Sequence, residues 1–257
     1  MVQNNVTGLG PTINSVLSQN YPAVEYLIID GGSTDGTQEV IRKYEHRITS
    51  WISEPDQGPY DAMNKGLSKA TGEWVLFMNA GDRFVDPAVL SRIFSQDLSG
   101  IDVIYGDSVA DYGKFRVSLK AGPIGELWKG MVFSHQSLIV RTILMRGNGF
   151  NLKYPIGADY ELVYRLFSGK KRFHYYPEPI AEVEIMGVSH RKMVRSSWEH
   201  FNILRACGKP TWCNRLYYYF RWCFLSLITL GYWLFPLSFI FVILKVIYKN
   251  RLVRERA

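Results

Sequence analysis

"EYLIIDGGSTDGT", residues 25–37, joins a short apolar run to a carboxylate, Asp30, and then to a glycine-rich turn. Apolar runs of this length bounded by turn residues mark strands buried on both faces. A second stretch repeats the design. "EWVLFMNAGD", residues 73–82, runs apolar from Trp74 to Met78 and stops at Asn79-Ala80-Gly81-Asp82. Open α/β sheets hold their ligands at the carboxyl ends of strands, so two acidic strand ends side by side define one candidate crevice. Asn, Gly and Asp are also ordinary turn formers, and Ser33, Thr34 or Asp35 suits a helix N-cap, so each motif alone is equally a polar turn.

The remaining pattern alternates. Helices are predicted over 11–19, with Pro11 in the first turn, and over 36–44, 58–70, 157–169 and 196–207. Strands are predicted at 48–53, 102–107 and 137–142, with further antiparallel strands within 108–150. Strands alternating with helices imply a three-layer α/β domain with a mostly parallel sheet.

The 257-residue chain carries net charge +7, but the charge is uneven: residues 191–257 hold 12 Lys/Arg and 2 Asp/Glu, so the body before them is net negative. The segment 222–244 contains 23 residues and no charge. As a helix it would be about 34 Å long, enough for a hydrocarbon core of about 30 Å. Trp212, Tyr217, Tyr218, Tyr219 and Trp222 crowd its start, as in an interfacial aromatic belt. Long uncharged runs argue for a membrane surface and against nucleic acid as the partner of the basic tail. Pro236 interrupts the segment and basic residues flank both ends, so a re-entrant path competes with a crossing. Cys207, Cys213 and Cys223 show no metal-binding spacing, and a reducing cytoplasmic face fits them best. The expected organisation is a domain over 1–195 followed by a helical, basic, membrane-associated segment over 196–257.

No G-K-[ST] follows the glycine-rich turn and no GxGxxG occurs in it, so Walker A and dinucleotide fingerprints are absent. The ordered series "DGGSTDGT" and then "SEPDQGPYDAMNKGLSKATGEWVLFMNAGD" instead resembles the inverting family 2 glycosyltransferases of bacterial surface-polysaccharide clusters (O-antigen, capsule, exopolysaccharide). The resemblance spans roughly residues 4 to 190. It implies a GT-A fold, a nucleotide-sugar donor, a divalent cation (Mn²⁺ or Mg²⁺) and a lipid-linked saccharide acceptor at the cytoplasmic face of the inner membrane. It also implies a first strand ahead of Asn4 or Asn5, of which "MVQNN" retains almost nothing.

Carried over by position, Asp30, Gly31, Ser33, Asp61, Asn64 and Asn79 line the nucleotide-sugar pocket, and Asp82 ligates the metal. Met63 stands where many members carry an arginine, and "NAGD" has fewer carboxylates than the commoner acidic motif. Asp159 in "GADYEL" takes the place of the catalytic base, although an acidic residue in a helix's first turn is also explained by the dipole. His135 and Gln136 in "FSHQSLIV" correspond to the acceptor side, where a structural histidine is the alternative, and His190 is a further candidate beside the phosphates. A competing expectation is a non-catalytic, membrane-bound nucleotide-sugar-binding scaffold. A nucleotidyltransferase is disfavoured, because no basic glycine-rich loop for a triphosphate lies near the amino end.

Overall fold

The computed structural model describes residues 1–112, 115–184, 192–208, 210–234 and 252–255. The chain opens with α1 (Val6–Leu17), whose N-cap Asn5 accepts from the Gly8 N–H at 2.9 Å. This cap starts the helix earlier than expected and leaves Pro11 in its interior, where one ladder hydrogen bond is lost. Then come β1 (Leu27–Asp30), α2 (Thr37–Tyr44), β2 (Ser50–Ser53), α3 (Pro59–Lys69) and β3 (Trp74–Leu76). Proline at the first position suits the α3 start, since that N–H has no helical partner anyway. The order continues through β4 (Arg83–Phe84), α4 (Val89–Phe94), β5 (Val103–Asp111), β6 (Phe115–Leu119), β7 (Leu138–Arg141) and α5 (Thr142–Met145). It closes with α6 (Ala158–Ser168), β8 (Phe173–Glu184), α7 (Met193–Cys207), α8 (Trp212–Leu234) and β9 (Leu252–Glu255).

The mostly parallel sheet expected from the alternation is not formed; the sheet is mixed and divided. β1 and β2 pair in parallel as a two-stranded unit. A seven-stranded unit runs β3-β7-β5-β6-β9, with β8 parallel to β5 on its other side and β4 antiparallel to β8. The β3–β7, β5–β7 and β5–β6 pairs are all antiparallel. For β5 and β6 the reason lies in the connection: only residues 112–114 separate them, and a parallel pairing needs a crossover of a dozen residues or more, usually helical. β7 follows 3₁₀ turns at Ile124–Lys129 and His135–Ser137 and pairs antiparallel with both β3 and β5.

Between the two units lies Met1-Val2. The Val2 N–H donates to Ile29 O at 3.0 Å, and the Gly31 N–H donates to Val2 O at 2.9 Å, a parallel bridge. On the other side the Met1 amino group donates to Met78 O at 2.7 Å, and the Ala80 N–H donates to Met1 O at 2.8 Å. Two residues therefore stand where a strand would join the units. Trp74, Val75, Leu76 and Phe77, expected to be buried on both faces, are only half-buried because one edge of β3 faces this gap.

Three apolar clusters hold the layers. Ile13, Ile28 and Ile41 join α1 and α2 to β1; Val89, Ile93, Ile104 and Ile180 join α4 to the sheet; Met63, Tyr160, Leu162, Val163 and Ile203 join α3, α6 and α7. Each fully buried aliphatic side chain contributes about 2 kcal/mol relative to exposure. α8 docks by one face only: Tyr218 is fully buried, the Tyr217 ring packs edge-on to Trp128 at 5.2 Å, and Arg221 donates to Tyr217 Oη at 3.0 Å. The other face leaves Trp212, Leu216, Phe220, Phe224 and Leu227 exposed.

Of the expected membrane segment 222–244, the part from Trp222 to Leu234 is helical in α8, and the part from 235 onward lies outside the described residues. Among the described residues no helix is long and apolar enough to cross a membrane. His190 also lies outside the described residues.

Candidate active site

A cavity of about 690 Å³ opens at the carboxyl ends of β1 and β3. Its walls include Asn79 and Asp82 from the turn after β3, Tyr60 from α3, His135 and Gln136 from the 3₁₀ turn, Asp159 from α6, and Glu184 from β8. These residues lie far apart in sequence. The fold brings them to one space.

The Asn79–Asp82 turn is held from several sides. Asn5 Nδ2 donates to Ala80 O at 3.0 Å, and Thr12 Oγ1 donates to Asp82 O at 2.7 Å while accepting from the Gly81 N–H at 3.0 Å. Gly81 has φ +105, and a Cβ there would lie 2.5 Å from Glu184 Oε2. Glycine therefore serves both the left-handed backbone and the approach of a second carboxylate. Asp82 itself is buried; its Oδ1 accepts the Glu184 N–H at 3.0 Å and its Oδ2 accepts Gln136 Nε2 at 2.7 Å. Gln136, expected on the acceptor side, is a brace for Asp82.

Asp82 and Glu184 thus flank Gly81 with hard oxygen donors and spare lone pairs. Among the described residues no group of three His, Cys, Asp or Glu able to hold a metal occurs. This donor set fits a hard cation whose shell is completed by oxygens the protein does not supply, as with Mg²⁺ shared between one or two carboxylates and phosphates.

Across the cavity, Asp159 is the second residue of α6, where the helix dipole favours an anion. Its Oδ1 accepts from Tyr60 Oη at 2.9 Å and from the Tyr160 N–H at 2.8 Å; its Oδ2 lies 3.6 Å from His135 Nδ1. His135 Nε2 is 3.1 Å from Asn79 Nδ2. An amide NH₂ only donates, so Nε2 accepts and the proton of a neutral ring sits on Nδ1, toward Asp159. Burial first, and the Asp159 charge second, push the Tyr60 phenol well above its usual range, so it remains a donor.

The start of α6 has no side-chain cap of its own. Glu199, buried in α7, supplies one from a distance: its Oε2 accepts the Ile156 and Gly157 N–H groups at 3.0 and 2.9 Å. Next to it His200 lines the cavity, and burial lowers its pKa to about 4, so the ring is neutral near pH 7.

Other residues expected in the donor pocket have different surroundings. Asp30 is fully buried and accepts from the Ser33 N–H at 3.0 Å and from the Ser33 and Ser53 hydroxyls at 2.5 Å each. It shapes the glycine-rich turn from beneath. A Cβ on Gly31 would come within 2.3 Å of Asp56 Oδ2, and Asp56 lines the cavity. Asp61 accepts the Gln57 N–H at 3.0 Å and lies 3.7 Å from Lys65 Nζ. Asn64 spends its amide on Phe150, donating to its carbonyl at 2.9 Å and accepting its N–H at 2.7 Å. Asp61 and Asn64 therefore organise α3 and its neighbours, outside the cavity lining. Tyr60, Glu184, Glu199 and His200 were not anticipated. The sequence "AEVE" over 181–184 alternates as a strand does but does not set Glu184 apart from Glu182.

Comparison with known proteins agrees with this architecture. The model of the family described as glycosyl transferase family 2 matches residues 2–152. An uncharacterized glycosyltransferase of Mycobacterium tuberculosis is 32% identical over 170 residues, 63% of this chain and 64% of that protein. A PGL/p-HBAD biosynthesis glycosyltransferase of Mycobacterium bovis is 32% identical over 171 residues, 64% of this chain and 66% of that protein. The chain thus spans somewhat under two thirds of the length of these relatives. Among solved structures, the mannosyltransferase of Pyrobaculum calidifontis in complex with GDP-Man and Mn²⁺ has a TM-score of 0.63 at 17% identity, covering 82% of this chain and 64% of that one. That likeness concerns the fold, a GT-A-like mixed α/β architecture.

Proposed function

Because this chain belongs to glycosyl transferase family 2, we propose that it moves a sugar, with inversion, from a nucleotide-sugar donor to a lipid-linked saccharide in bacterial surface-polysaccharide synthesis. The observation that carries this reading is the convergence of Asp82 with Glu184 on one wall and Asp159 with His135 on another, around a single 690 Å³ cavity. A diphosphate sugar needs a place for its charge and a base within reach of an incoming hydroxyl.

The chain's residues have distinct tasks in this scheme. Asp82 and Glu184 would hold a divalent cation, as Mn²⁺ accompanies the sugar nucleotide in the Pyrobaculum mannosyltransferase. When bound, such an ion offsets the diphosphate's charge and stabilises the departing nucleotide. Gln136 keeps the Asp82 carboxylate aimed. Asp159 takes the proton of the acceptor hydroxyl as its oxygen bonds to the anomeric carbon and the bond to the donor phosphate breaks; the electron pair leaves with the nucleoside diphosphate. Tyr60 and His135 hold Asp159 in register through the contacts at 2.9 and 3.6 Å.

The remaining assignments concern placement. The transferase body, expected over 1–195, takes in α7 as well, since Glu199 caps α6 and His200 lines the cavity; the basic chain from α8 onward would set it against the cytoplasmic face of the inner membrane. The exposed Trp212, Leu216, Phe220, Phe224 and Leu227 on one face of α8, in a basic tail, support that placement. The test is turnover of purified protein against a panel of sugar nucleotides with Mn²⁺ or Mg²⁺. The expected result is cation-dependent release of nucleoside diphosphate from one donor class. Thermal protection by a donor without any release would favour the binding-only scaffold, and neither effect would remove the reading.

A further inference from the structure

Two neighbouring residues of one 3₁₀ turn reach the turn that follows β3. Gln136 Nε2 donates to Asp82 Oδ2 at 2.7 Å, and His135 Nε2 meets Asn79 Nδ2 at 3.1 Å. The 3₁₀ turn is itself fixed by Ser137, whose Oγ donates to Asp107 O at 2.9 Å and whose N–H donates to Ser134 O at 2.9 Å. The Gln136 brace stays on the Asp82 wall of the cavity. The His135 brace goes on, because its other ring nitrogen, Nδ1, faces Asp159 Oδ2 at 3.6 Å. Asn79, His135 and Asp159 therefore make one continuous polar link, from the turn that carries Asp82 to the start of α6.

The protons along this link allow one neutral arrangement. A neutral imidazole has one N–H and one lone pair. The Asp159 carboxylate only accepts, so it calls for the N–H on Nδ1. Nε2 is left with its lone pair and needs a donor, which the Asn79 amide supplies. With the amide turned over, Oδ1 would face Nε2 and the ring proton would have to sit there. The Nδ1 lone pair would then oppose the Asp159 carboxylate. An aspartate at 79 would impose that arrangement, or a doubly protonated ring, since a carboxylate has no proton to give. Alanine would impose nothing. The amide that opens "NAGD" thus does what no carboxylate could do in its place.

We propose that Asn79 is a positioning residue for the base: through His135 it fixes the ring proton on Nδ1, toward Asp159, and ties the base to the turn that bears Asp82. This rests on the reading of Asp159 as the base. Asn5 and Thr12 already hold that turn at Ala80, Gly81 and Asp82, so the link sets Asp159 against a rigid reference. The 3.6 Å contact is long for a hydrogen bond, and such contacts in catalytic sites often tighten only once substrate is bound. A histidine in the wrong tautomer costs turnover while the surrounding geometry survives.

The test uses the full chain and two readouts. ¹⁵N-labelled histidine and long-range ¹H–¹⁵N spectra at mildly alkaline pH report which ring nitrogen carries the proton, with His135→Gln assigning the signal. The expected result is a protonated Nδ1 and a lone-pair Nε2 in the parent, and a proton gained on Nε2 in Asn79→Asp. The parent spectrum decides even where a variant does not fold. Steady-state release of nucleoside diphosphate, with the sugar nucleotide that the panel selects, gives kcat and donor KM. Asn79→Ala should lower kcat by about threefold to tenfold and Asn79→Asp by about thirtyfold or more, each with donor KM within about twofold of the parent. A role in shape or cation binding alone gives the opposite order, because aspartate matches asparagine in shape and adds an oxygen ligand. An Nε2 proton in the parent, an Asn79→Asp protein as active as the parent or more active than Asn79→Ala, or losses confined to donor KM overturns the proposal. Full transfer by Asp159→Asn overturns the base reading together with it, whereas a proton on Nε2 overturns the proposal alone.

Discussion

Glu199 offers the sharpest test of how the proposed base is held. It is 2% exposed, and its Oε2 takes two backbone N–H groups, of Ile156 at 3.0 Å and Gly157 at 2.9 Å, immediately before the helix that carries Asp159. Hydrogen bonds to a charged acceptor contribute about 1.5–3 kcal/mol each, and an orphaned buried donor costs about 1–3 kcal/mol. The two bonds share one oxygen, and burial of the carboxylate offsets part of the gain, so Glu199→Ala should destabilise the protein by about 3 kcal/mol. For a domain of this size that lowers Tm by about 6–12 °C. Urea unfolding gives the free energy, and steady-state kinetics give the partition. With the α6 start loosened, kcat should fall while donor KM changes little, because Asp82 and Glu184 lie on the other wall. Glu199→Gln keeps an acceptor oxygen and should recover most of the stability. A Glu199→Ala protein within about 0.5 kcal/mol of the parent, or one with unchanged kcat, would refute the capping role.

Asp159→Asn should retain donor binding by calorimetry and lose transfer by about a hundredfold or more; unchanged transfer would hand the base role to another group. Asp82→Ala should abolish cation-dependent turnover while the circular dichroism spectrum persists, and full activity without Asp82 would remove it from the mechanism. The Met1 amine, with folded pKa about 6 against 8.0 when free, should make stability rise with pH between about 6 and 8. Here the unfolded chain binds the extra proton, and the span is worth about 3 kcal/mol; acetylating the amine should flatten that part of the curve. His200, with folded pKa about 4 against 6.5, has the same sign at lower pH, and its contribution is lost as pH falls from about 6.5 to 4. A His200→Phe variant that titrates like the parent would contradict this.

The sequence carried the strand ends well. Apolar runs ending in Asp30 and in "NAGD" stand at one end of the fold, and Asn79, Asp82, His135 and Asp159 line one cavity. Local patterning suffices there, because each motif is a strand or helix terminus. Strand direction was not legible, since β7 pairs antiparallel with β3, a strand far from it in sequence, and no local pattern encodes such a pairing. Nor were the partners of buried polar groups. Asn64 closes on Phe150, 86 positions away, and Tyr60 meets Asp159 across 99 positions. No period or spacing encodes such pairs. Glu199 and His200 looked like ordinary residues of a polar helix, and only packing of α7 against α6 turns them inward.

The dispersal of the cavity's walls bears on how the protein comes into being. Its lining draws on Met1 at one end of the sequence, then on Tyr60, Asp82, His135 and Asp159, and finally on His200. A nascent chain on the ribosome can form α1, β1 and β2 early, but no chain that has not yet emerged past residue 200 holds a finished site. At about 5–20 residues per second, the half-built crevice stays open to solvent for many seconds of synthesis. Premature termination between the end of β8 and α7 therefore yields a body with its acidic turn in place and its proposed base unsupported.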